Sequence, residues 1–234
     1  MTVRITKPEI NVREKLAELD KPSGIAGQAM LAAETLPELH SIAGTGRRNL
    51  TINGDFKVNQ RGTLPVTNPT GGVYFTDRWL IGSTPTNLVI SNETGIYINQ
   101  DNAKVKTLKA LFSGSGGFDV YQTYEDWEYL SNKTVTISFW YRTNIHNCVI
   151  RQWSTMSPAT IPSTYGEWKK FSTTFTLGTL IAGARAANTA TLGIWTSGAT
   201  VSSGSYFEFT QFQLEVSKVA TPFEHRSYGE ELAL

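Results

Sequence analysis

The feature that most constrains the fold is a set of short segments in which apolar and polar residues alternate. The clearest is residues 134–141, T-V-T-I-S-F-W-Y. This alternation is typical of a β-strand with one face in a core. Further strands are predicted over residues 169–177, 189–196 and 206–216, with shorter ones over 88–91, 96–98 and 105–112. Because glycine- and asparagine-bearing turns separate these segments, residues 49–234 are predicted to form one mainly β domain, a jelly-roll β-sandwich.

Residues 1–48 follow a helical pattern instead. The stretch T-K-P-E at residues 6–9 has the form of a capping box, and Val12, Leu16 and Leu19 then recur on one helix face. Two further short helices would carry Ile25 and Leu39. Helices this short are marginal alone. We therefore predict a docking arm that uses these five residues against other chains; a helical cap on the sandwich is the alternative.

Composition excludes several classes of protein. The formal net charge of +1 gives no basic excess for nucleic acid or an anionic membrane. The single cysteine, Cys148, excludes an intrachain disulfide and a cysteine-rich metal site. No apolar run reaches the roughly 18 residues of a membrane span, and the first residues lack the apolar core of a secretory signal. We expect synthesis in a bacterial cytoplasm, with no membrane insertion and no nucleic acid partner.

Several stretches of the chain resemble a known group of proteins. Residues 49–56 (N-L-T-I-N-G-D-F), 59–62 (N-Q-R-G), 75–79 (F-T-D-R-W) and 133–140 (K-T-V-T-I-S-F-W) resemble successive motifs of bacteriophage tail-fibre domains of carbohydrate-binding-module type. Residues 213–215 (Q-L-E), 220–226 (A-T-P-F-E-H-R) and 228–232 (Y-G-E-E-L) resemble their closing strand and tail. The arm, with R-I-T-K-P at residues 4–8, is similar to the N-termini of virion proteins from marine phages.

The resemblance implies a structural protein of the phage virion, with other virion proteins of the tail or capsid as partners. A tail fibre or fibre-like appendage is the first interpretation, with a homotrimer expected and a role in host attachment through a cell-surface glycan. A capsid decoration protein or head fibre with the same sandwich is the alternative, and a polysaccharide-degrading enzyme is a third. Members of this group often run on past an ending such as residues 230–234, so the chain is consistent with a shortened member.

The sequence offers weak grounds for catalysis. His146 and Cys148 could suggest a thiol nucleophile with its base, but no third group is evident to orient them. Glu125, Asp126 and Glu128 form an acidic cluster, and paired carboxylates can cleave glycosides across a groove. A solvated loop is the simpler interpretation of that cluster. We predict no catalytic residues and no enzyme.

The resemblance also implies a possible structural calcium site, since modules of this shape often hold a calcium ion near their first and last strands. Asp55 and Glu215 stand in the corresponding motifs. Calcium needs six to eight oxygen ligands. The alternative is that Asp55 caps a turn and Glu215 pairs with an arginine. We predict no cofactor and no metal ligand, with this calcium as the open exception.

The aromatic residues divide into two groups. Trp79, Trp140, Trp168 and Trp195 stand in motifs or strands and are predicted to lie in the core. Four others stand in or beside polar connections: Tyr121, Trp127, Trp153 and Tyr165. Exposed rings can stack on sugars while polar neighbours supply hydrogen bonds, so Trp153, Arg151, Gln152 and Tyr165 are the candidate glycan site. A lid on the core or an intersubunit contact is the alternative for these residues.

Overall fold

The computed structural model describes residues 48–60, 64–82, 86–98, 104–125, 127–152, 159–182, 189–196 and 201–234. The predicted docking residues Val12, Leu16, Leu19, Ile25 and Leu39 lie outside these ranges. Docking through the arm therefore stays a prediction. In the described part of the chain, no helix has the length and apolar character that a bilayer crossing requires.

Twelve strands and two short helices are found within the described residues. The strands are β1 Val66–Thr67, β2 Tyr74–Thr76, β3 Trp79–Ile81, β4 Leu88–Tyr97, β5 Lys104–Phe112, β6 Asp119–Thr123, β7 Thr134–Thr143, β8 Cys148–Gln152, β9 Ala159–Ile161, β10 Lys169–Thr176, β11 Thr191–Thr196 and β12 Tyr206–Glu215. The helices are α1 Trp127–Leu130 and α2 Tyr228–Leu232.

The strands form two antiparallel sheets. The first sheet has the order β1-β4-β5-β12-β7-β10, and the second has the order β2-β3-β6-β11-β8-β9. From β5 onward the chain crosses repeatedly between the sheets, and β12 returns to the first sheet between β5 and β7. This crossing is the connectivity of a jelly roll, so the predicted mainly β sandwich is confirmed.

The core lies between the two sheets and is rich in aromatic rings. On β7, Phe139 is buried and faces inward, and its ring stacks on Phe212 of β12 with centroids 5.2 Å apart. Phe212 also meets Trp79 of the second sheet edge to face at 5.2 Å. Such pairs contribute about 0.5–1.5 kcal/mol each beyond the area that they bury. Rings from both sheets thus hold the sandwich together without a disulfide.

The ends of the sandwich sequence are joined to each other. The main-chain N–H of Leu50 donates to the carbonyl oxygen of Leu214 at 2.8 Å. The buried Arg226 donates to the carbonyl oxygens of Asn49 and Thr51, and it pairs with Glu231 of α2 at 3.5 Å. The opening and closing motifs therefore meet in one seam, and their residues hold the fold.

Several strand predictions are confirmed and others are wrong. The predicted segments at 134–141, 169–177, 189–196 and 206–216 correspond to β7, β10, β11 and β12. The segments 88–91 and 96–98 are one strand, β4, with an irregularity between Glu93 and Ile96. Cys148–Gln152 is a strand that the sequence pattern did not predict. Cys148, Val149 and Ile150 are all buried, so the segment shows no alternation.

The core assignment of the tryptophans is confirmed for Trp79, which is fully buried. It is wrong for Trp140, which is half-buried on the outer face of the first sheet. Neighbouring residues of a strand face opposite sides, and Phe139 and Tyr141 take the inward positions. Trp168 and Trp195 are likewise half-buried and are not part of the core. Tyr121 lies in β6, not in a connection.

Candidate functional site

The outer face of the second sheet is the candidate site, and we call it the second-sheet face. Val120 of β6, Ile150 of β8 and Ile194 of β11 point into the core. The alternate residues of these strands therefore point outward. The outward positions of β3, β6, β8, β9 and β11 that define this face are Leu80, Asp119, Tyr121, Val149, Arg151, Thr160, Gly193 and Trp195. Arg151 and Thr160 are exposed and Leu80 and Trp195 half-buried, whereas the other four are buried, so the accessible part of the face lies around Arg151 and Trp195.

Strand register arranges these outward residues in two rows across the sheet. Gly193 of β11 is paired with Tyr121 on one side and with Arg151 on the other. Trp195 is paired with Asp119 on one side and with Val149 on the other. Arg151 therefore lies diagonally next to Trp195 across the β8–β11 pair, within reach of a long side chain.

The central contact of the second-sheet face is between Arg151 and Trp195. The guanidinium carbon of Arg151 lies 5.2 Å from the centroid of the Trp195 ring, a cation–π distance. Arg151 is exposed and Trp195 is half-buried. An exposed guanidinium over a tryptophan ring combines a flat apolar surface with planar hydrogen-bond donors, the combination that a sugar ring and its hydroxyls require.

Gly193 brings the strands of this face close together. A Cβ atom at residue 193 would lie 2.5 Å from the Cβ of Tyr121, and it would also clash with the carbonyl oxygen of Val120. A larger residue here would push β11 away from β6. Because a glycine has no side chain, the row Tyr121–Gly193–Arg151 across the sheet has a gap between the side chains of Tyr121 and Arg151.

The four predicted glycan residues lie in different surroundings. Arg151 is on the second-sheet face. Gln152 is buried, and its side-chain amide donates to the carbonyl oxygen of Thr189 at 3.3 Å. Trp153 lies outside the described residues. Tyr165 belongs to the β9–β10 connection, so whether these residues act together on a glycan stays a prediction.

Tyr165 is the most exposed large hydrophobic residue among the described residues, at 81%. It occupies a tight turn with Gly166, and both residues have positive φ, 53° and 94°. The turn is closed by the N–H of Glu167, which donates to the carbonyl oxygen of Thr164 at 3.1 Å. The tyrosine ring meets His146 edge to face, with centroids 6.0 Å apart. The turn thus projects an aromatic ring away from the sandwich.

Sequence reasoning missed Asp119, Tyr121 and Trp195 as members of one face. The available signal was the alternation itself. In β11, Leu192 and Ile194 take the inward positions, so Trp195 must point outward. The partnership with Arg151 had no such signal, because it depends on which strands are neighbours.

The residues considered for catalysis, His146 with Cys148 and the acidic cluster, do not form a reactive pair among the described residues. Cys148 is fully buried in the core, and burial raises the pKa of its thiol to about 12. His146 is exposed and contacts Tyr165. In the acidic cluster, Glu125 is exposed and pairs with Arg78 at 2.8 Å, and Glu128 is exposed in α1. Asp126 lies outside the described residues.

The two residues considered as calcium ligands, Asp55 and Glu215, have contacts within the protein, and the absence of a calcium ion stays a prediction. The Oδ2 atom of Asp55 lies 2.6 Å from the ammonium of Lys57. Both carboxylate oxygens of Glu215 accept hydrogen bonds from Thr221, at 2.7 and 2.6 Å, and Arg48 lies 3.8 Å away. Three of the four carboxylate oxygens thus have partners in the protein, whereas Oδ1 of Asp55 is buried without a hydrogen-bond partner among the described residues. The described residues also contain no group of three or more histidine, cysteine, aspartate or glutamate side chains that could hold a metal ion.

Two hollows of about 220 and 310 Å³ lie beside Arg78 at one end of the sandwich. Both are lined by Ile52, Arg78 and Leu234. The Arg78 guanidinium already pairs with Glu125 and donates to the carbonyl oxygen of Leu234. Its donors are therefore directed at the protein's own oxygens, which makes these hollows weaker candidates than the second-sheet face.

No protein-family model matches the sequence, and comparison with curated proteins finds no match. Solved structures similar to the chain include a family 61 carbohydrate-binding module in complex with β-1,4-galactotriose, at 11% identity over 73% of this chain and 100% of that one, with a TM-score of 0.43. The xylan-binding CBM22-1 domain of Xyn10C from Paenibacillus barcinonensis aligns at 9% identity over 75% of this chain and 99% of that one, TM-score 0.42. A family 4 module aligns at 17% identity over 70% and 97%, TM-score 0.41. At these values the likenesses carry no functional assignment.

Proposed function

We propose that this chain is a non-catalytic glycan-binding β-sandwich of a bacteriophage tail fibre or fibre-like appendage. In this proposal the second-sheet face binds the sugar, and residues 1–48 attach the protein to the particle. The observation that carries the binding role is the contact between Arg151 and Trp195, 5.2 Å apart on the outward face of the sheet. Its exposed guanidinium and aromatic ring are the kinds of group by which proteins orient sugars.

A binding role is also favoured over a catalytic one. A nucleophile needs a base within hydrogen-bond reach. Here the thiol of Cys148 is buried among core residues, and its raised pKa keeps it protonated at neutral pH. The exposed Glu125 carboxylate is paired with a guanidinium. These surroundings suit structural roles better than acid–base chemistry.

The virion role is supported by the sequence motifs, which occur along the chain in the same order as in the phage proteins that they resemble. The residues of these motifs, such as Asn49 and Arg226, lie in the seam that joins the ends of the sandwich. These motif residues therefore have a structural role in the fold. The proposed role in the particle depends on the resemblance of the motifs to phage proteins and on the predicted helical arm. We expect the assembled protein to be a homotrimer that contacts other virion proteins.

The binding role is tested with two matched variants, Trp195→Ala and Trp168→Ala. Both remove a half-buried tryptophan that stacks with an arginine, but Trp168 stacks with Arg142 of the first sheet. The full chain and both variants would be measured for binding to host cells and to a glycan array, and for melting temperature. We expect Trp195→Ala to lose binding by about tenfold or more while Trp168→Ala keeps it. Equal binding by Trp195→Ala and the unaltered protein would refute the role of this face.

The particle role is tested by labelling intact particles with an antibody against the sandwich. Labels at the tail support the fibre interpretation, and labels over the whole head support the capsid decoration or head-fibre alternative. A variant lacking residues 1–48 should fold but fail to join the particle. Incorporation of this variant at normal levels would show that the arm has no docking role.

A further inference from the structure

Two arginine–tryptophan stacks lie on opposite faces of the sandwich. The guanidinium carbon of Arg142 is 5.1 Å from the Trp168 ring centroid on the first sheet, and that of Arg151 is 5.2 Å from the Trp195 ring on the second. The two stacks have the same composition and nearly the same separation. They differ in what else the guanidinium contacts.

The stack on the first sheet is completed by a carboxylate of the protein. Glu208 is fully buried, and its Oε2 atom accepts from both Nε and Nη2 of Arg142 at 2.8 Å. Its other oxygen accepts from the hydroxyl of Thr107 at 2.5 Å. The guanidinium of Arg142 thus lies between an aromatic ring and an acid, with its charge neutralised.

Among the described residues, no such carboxylate completes the stack on the second sheet. Arg151 is exposed, and no carboxylate of the residues that the structure describes lies within 4 Å of its guanidinium. The acid on the same face is Asp119 of β6, and β11 separates β6 from β8. Two strand spacings place these backbones about 9–10 Å apart.

The Asp119 carboxylate is also directed away from Arg151. A Cβ atom added at Gly82 would clash with the side-chain oxygens of Asp119, so the carboxylate rests against Gly82. The main-chain N–H of Gly82 donates to the carbonyl oxygen of Asp119 at 2.9 Å. Gly82 directly follows β3, which borders β6 on the side opposite β11. Arg151 therefore receives no acid from this direction.

We infer that the second-sheet face selects an anionic sugar, and that the acid group of this sugar binds Arg151 as the carboxylate of Glu208 binds Arg142. This inference rests on the proposed glycan-binding function. The ligand chemistry is an oxyanion on a sugar ring, either the carboxylate of a hexuronic acid or a sulfate ester. The Trp195 ring lies 5.2 Å from the guanidinium carbon and restrains the position of Arg151. A guanidinium offers two parallel donors to such an anion.

The test uses four polymers as probes: polygalacturonate, its methyl-esterified form, a sulfated galactan and an unsulfated galactan. Each anionic polymer is thus matched by a neutral one, and the two pairs distinguish carboxylate from sulfate. We expect the full chain to bind at least one anionic polymer about tenfold or more tightly than its neutral counterpart. Raising sodium chloride from about 50 to about 500 mM should reduce that preference.

Arg151→Gln should abolish the preference for the anionic polymer. Arg151→Lys should retain only part of it, because a lysine ammonium lacks the planar pair of donors of a guanidinium. Lys170→Gln, which removes an exposed positive charge from β10, should leave it unchanged. Preference for a neutral polymer, or an unchanged preference in Arg151→Gln, overturns the inference while glycan binding stands. Binding to none of the four polymers also overturns it, and the proposed function then depends on the Trp195 comparison alone.

Discussion

The guanidinium of Arg226 donates a hydrogen bond of 3.1 Å to the carbonyl oxygen of Thr51, which lies 175 residues earlier in the chain. It also donates to the carbonyl oxygen of Asn49 and pairs with Glu231. One buried side chain thus joins the first described segment, the last loop and helix α2. Losing it would leave two carbonyl groups and one carboxylate buried without this partner.

Arg226→Ala is therefore expected to lower the free energy of unfolding by about 3–5 kcal/mol, the usual cost of removing one partner of a buried ion pair. Arg226→Lys should recover part of this loss, because it keeps the charge but reaches fewer acceptors. Urea denaturation followed by circular dichroism measures both, with Lys170→Ala as an exposed control expected within about 0.5 kcal/mol. A loss below about 1 kcal/mol for Arg226→Ala would show that the seam does not depend on this arginine.

Glu231 provides a prediction about pH. Burial raises the pKa of its carboxyl above 4.5, although the N–H of Asn53 at 2.7 Å and the guanidinium of Arg226 oppose that rise. A folded-state pKa above the unfolded value means that the folded protein binds this proton more tightly. The stability that Glu231 contributes is thus greatest below about pH 4.5 and falls as the pH rises through the folded pKa.

The measurement compares the unaltered protein with Glu231→Gln by denaturation at several values from about pH 4 to about pH 7. Relative to the glutamine variant, the unaltered protein should lose stability as the pH rises. The opposite trend would mean that the ion pair with Arg226 outweighs the burial of the carboxylate. Glutamine keeps the size of the side chain and its acceptor for Asn53, so packing changes little between the two proteins.

The sequence predicted the class of fold because β7, β10 and β12 alternate strongly and glycine-rich turns separate them. It did not predict β8, since Cys148, Val149 and Ile150 are buried on both faces and show no period of two. The site was harder for a different reason. Arg151 and Trp195 are brought together by the β8–β11 pairing. Strand order between distant segments is decided by packing of the whole sandwich, which local pattern does not encode.

The carboxylates of Asp55 and Glu215 lead to a prediction about calcium. Three of their four oxygens contact Lys57, Thr221 or Arg48, and only Oδ1 of Asp55 has no hydrogen-bond partner among the described residues. A bound metal would stabilise the folded protein, and a chelator would then lower its melting temperature. We expect about 5 mM EDTA to change the melting temperature by less than about 1 °C, and about 5 mM calcium chloride to have equally little effect.

Glu215→Gln serves as the companion variant in the calcium experiment. It should lower the melting temperature equally with and without EDTA, because the change weakens the hydrogen bonds from Thr221 and not a metal bond. A fall of about 5 °C or more on adding EDTA to the unaltered protein would show that a metal is bound after all.

Phe139 and Trp140 are neighbours on β7 and offer a direct test of which face points inward. Phe139 is fully buried and stacks on Phe212, whereas Trp140 is half-buried on the outer face. Phe139→Ala should lower the free energy of unfolding by about 3–5 kcal/mol because it leaves a cavity in the core. Trp140→Ala removes a larger ring but leaves no enclosed cavity, so we expect a loss of only about 1 kcal/mol.

The two variants should be followed by circular dichroism, since the chain has six tryptophans and removing one alters the fluorescence signal itself. Equal slopes of unfolding free energy against urea would show that the comparison concerns stability and not a change in the unfolded state. A loss of about 3 kcal/mol or more for Trp140→Ala would place its ring in a packed environment. A loss of that size would mean that another chain or segment covers the outer face of the first sheet at Trp140.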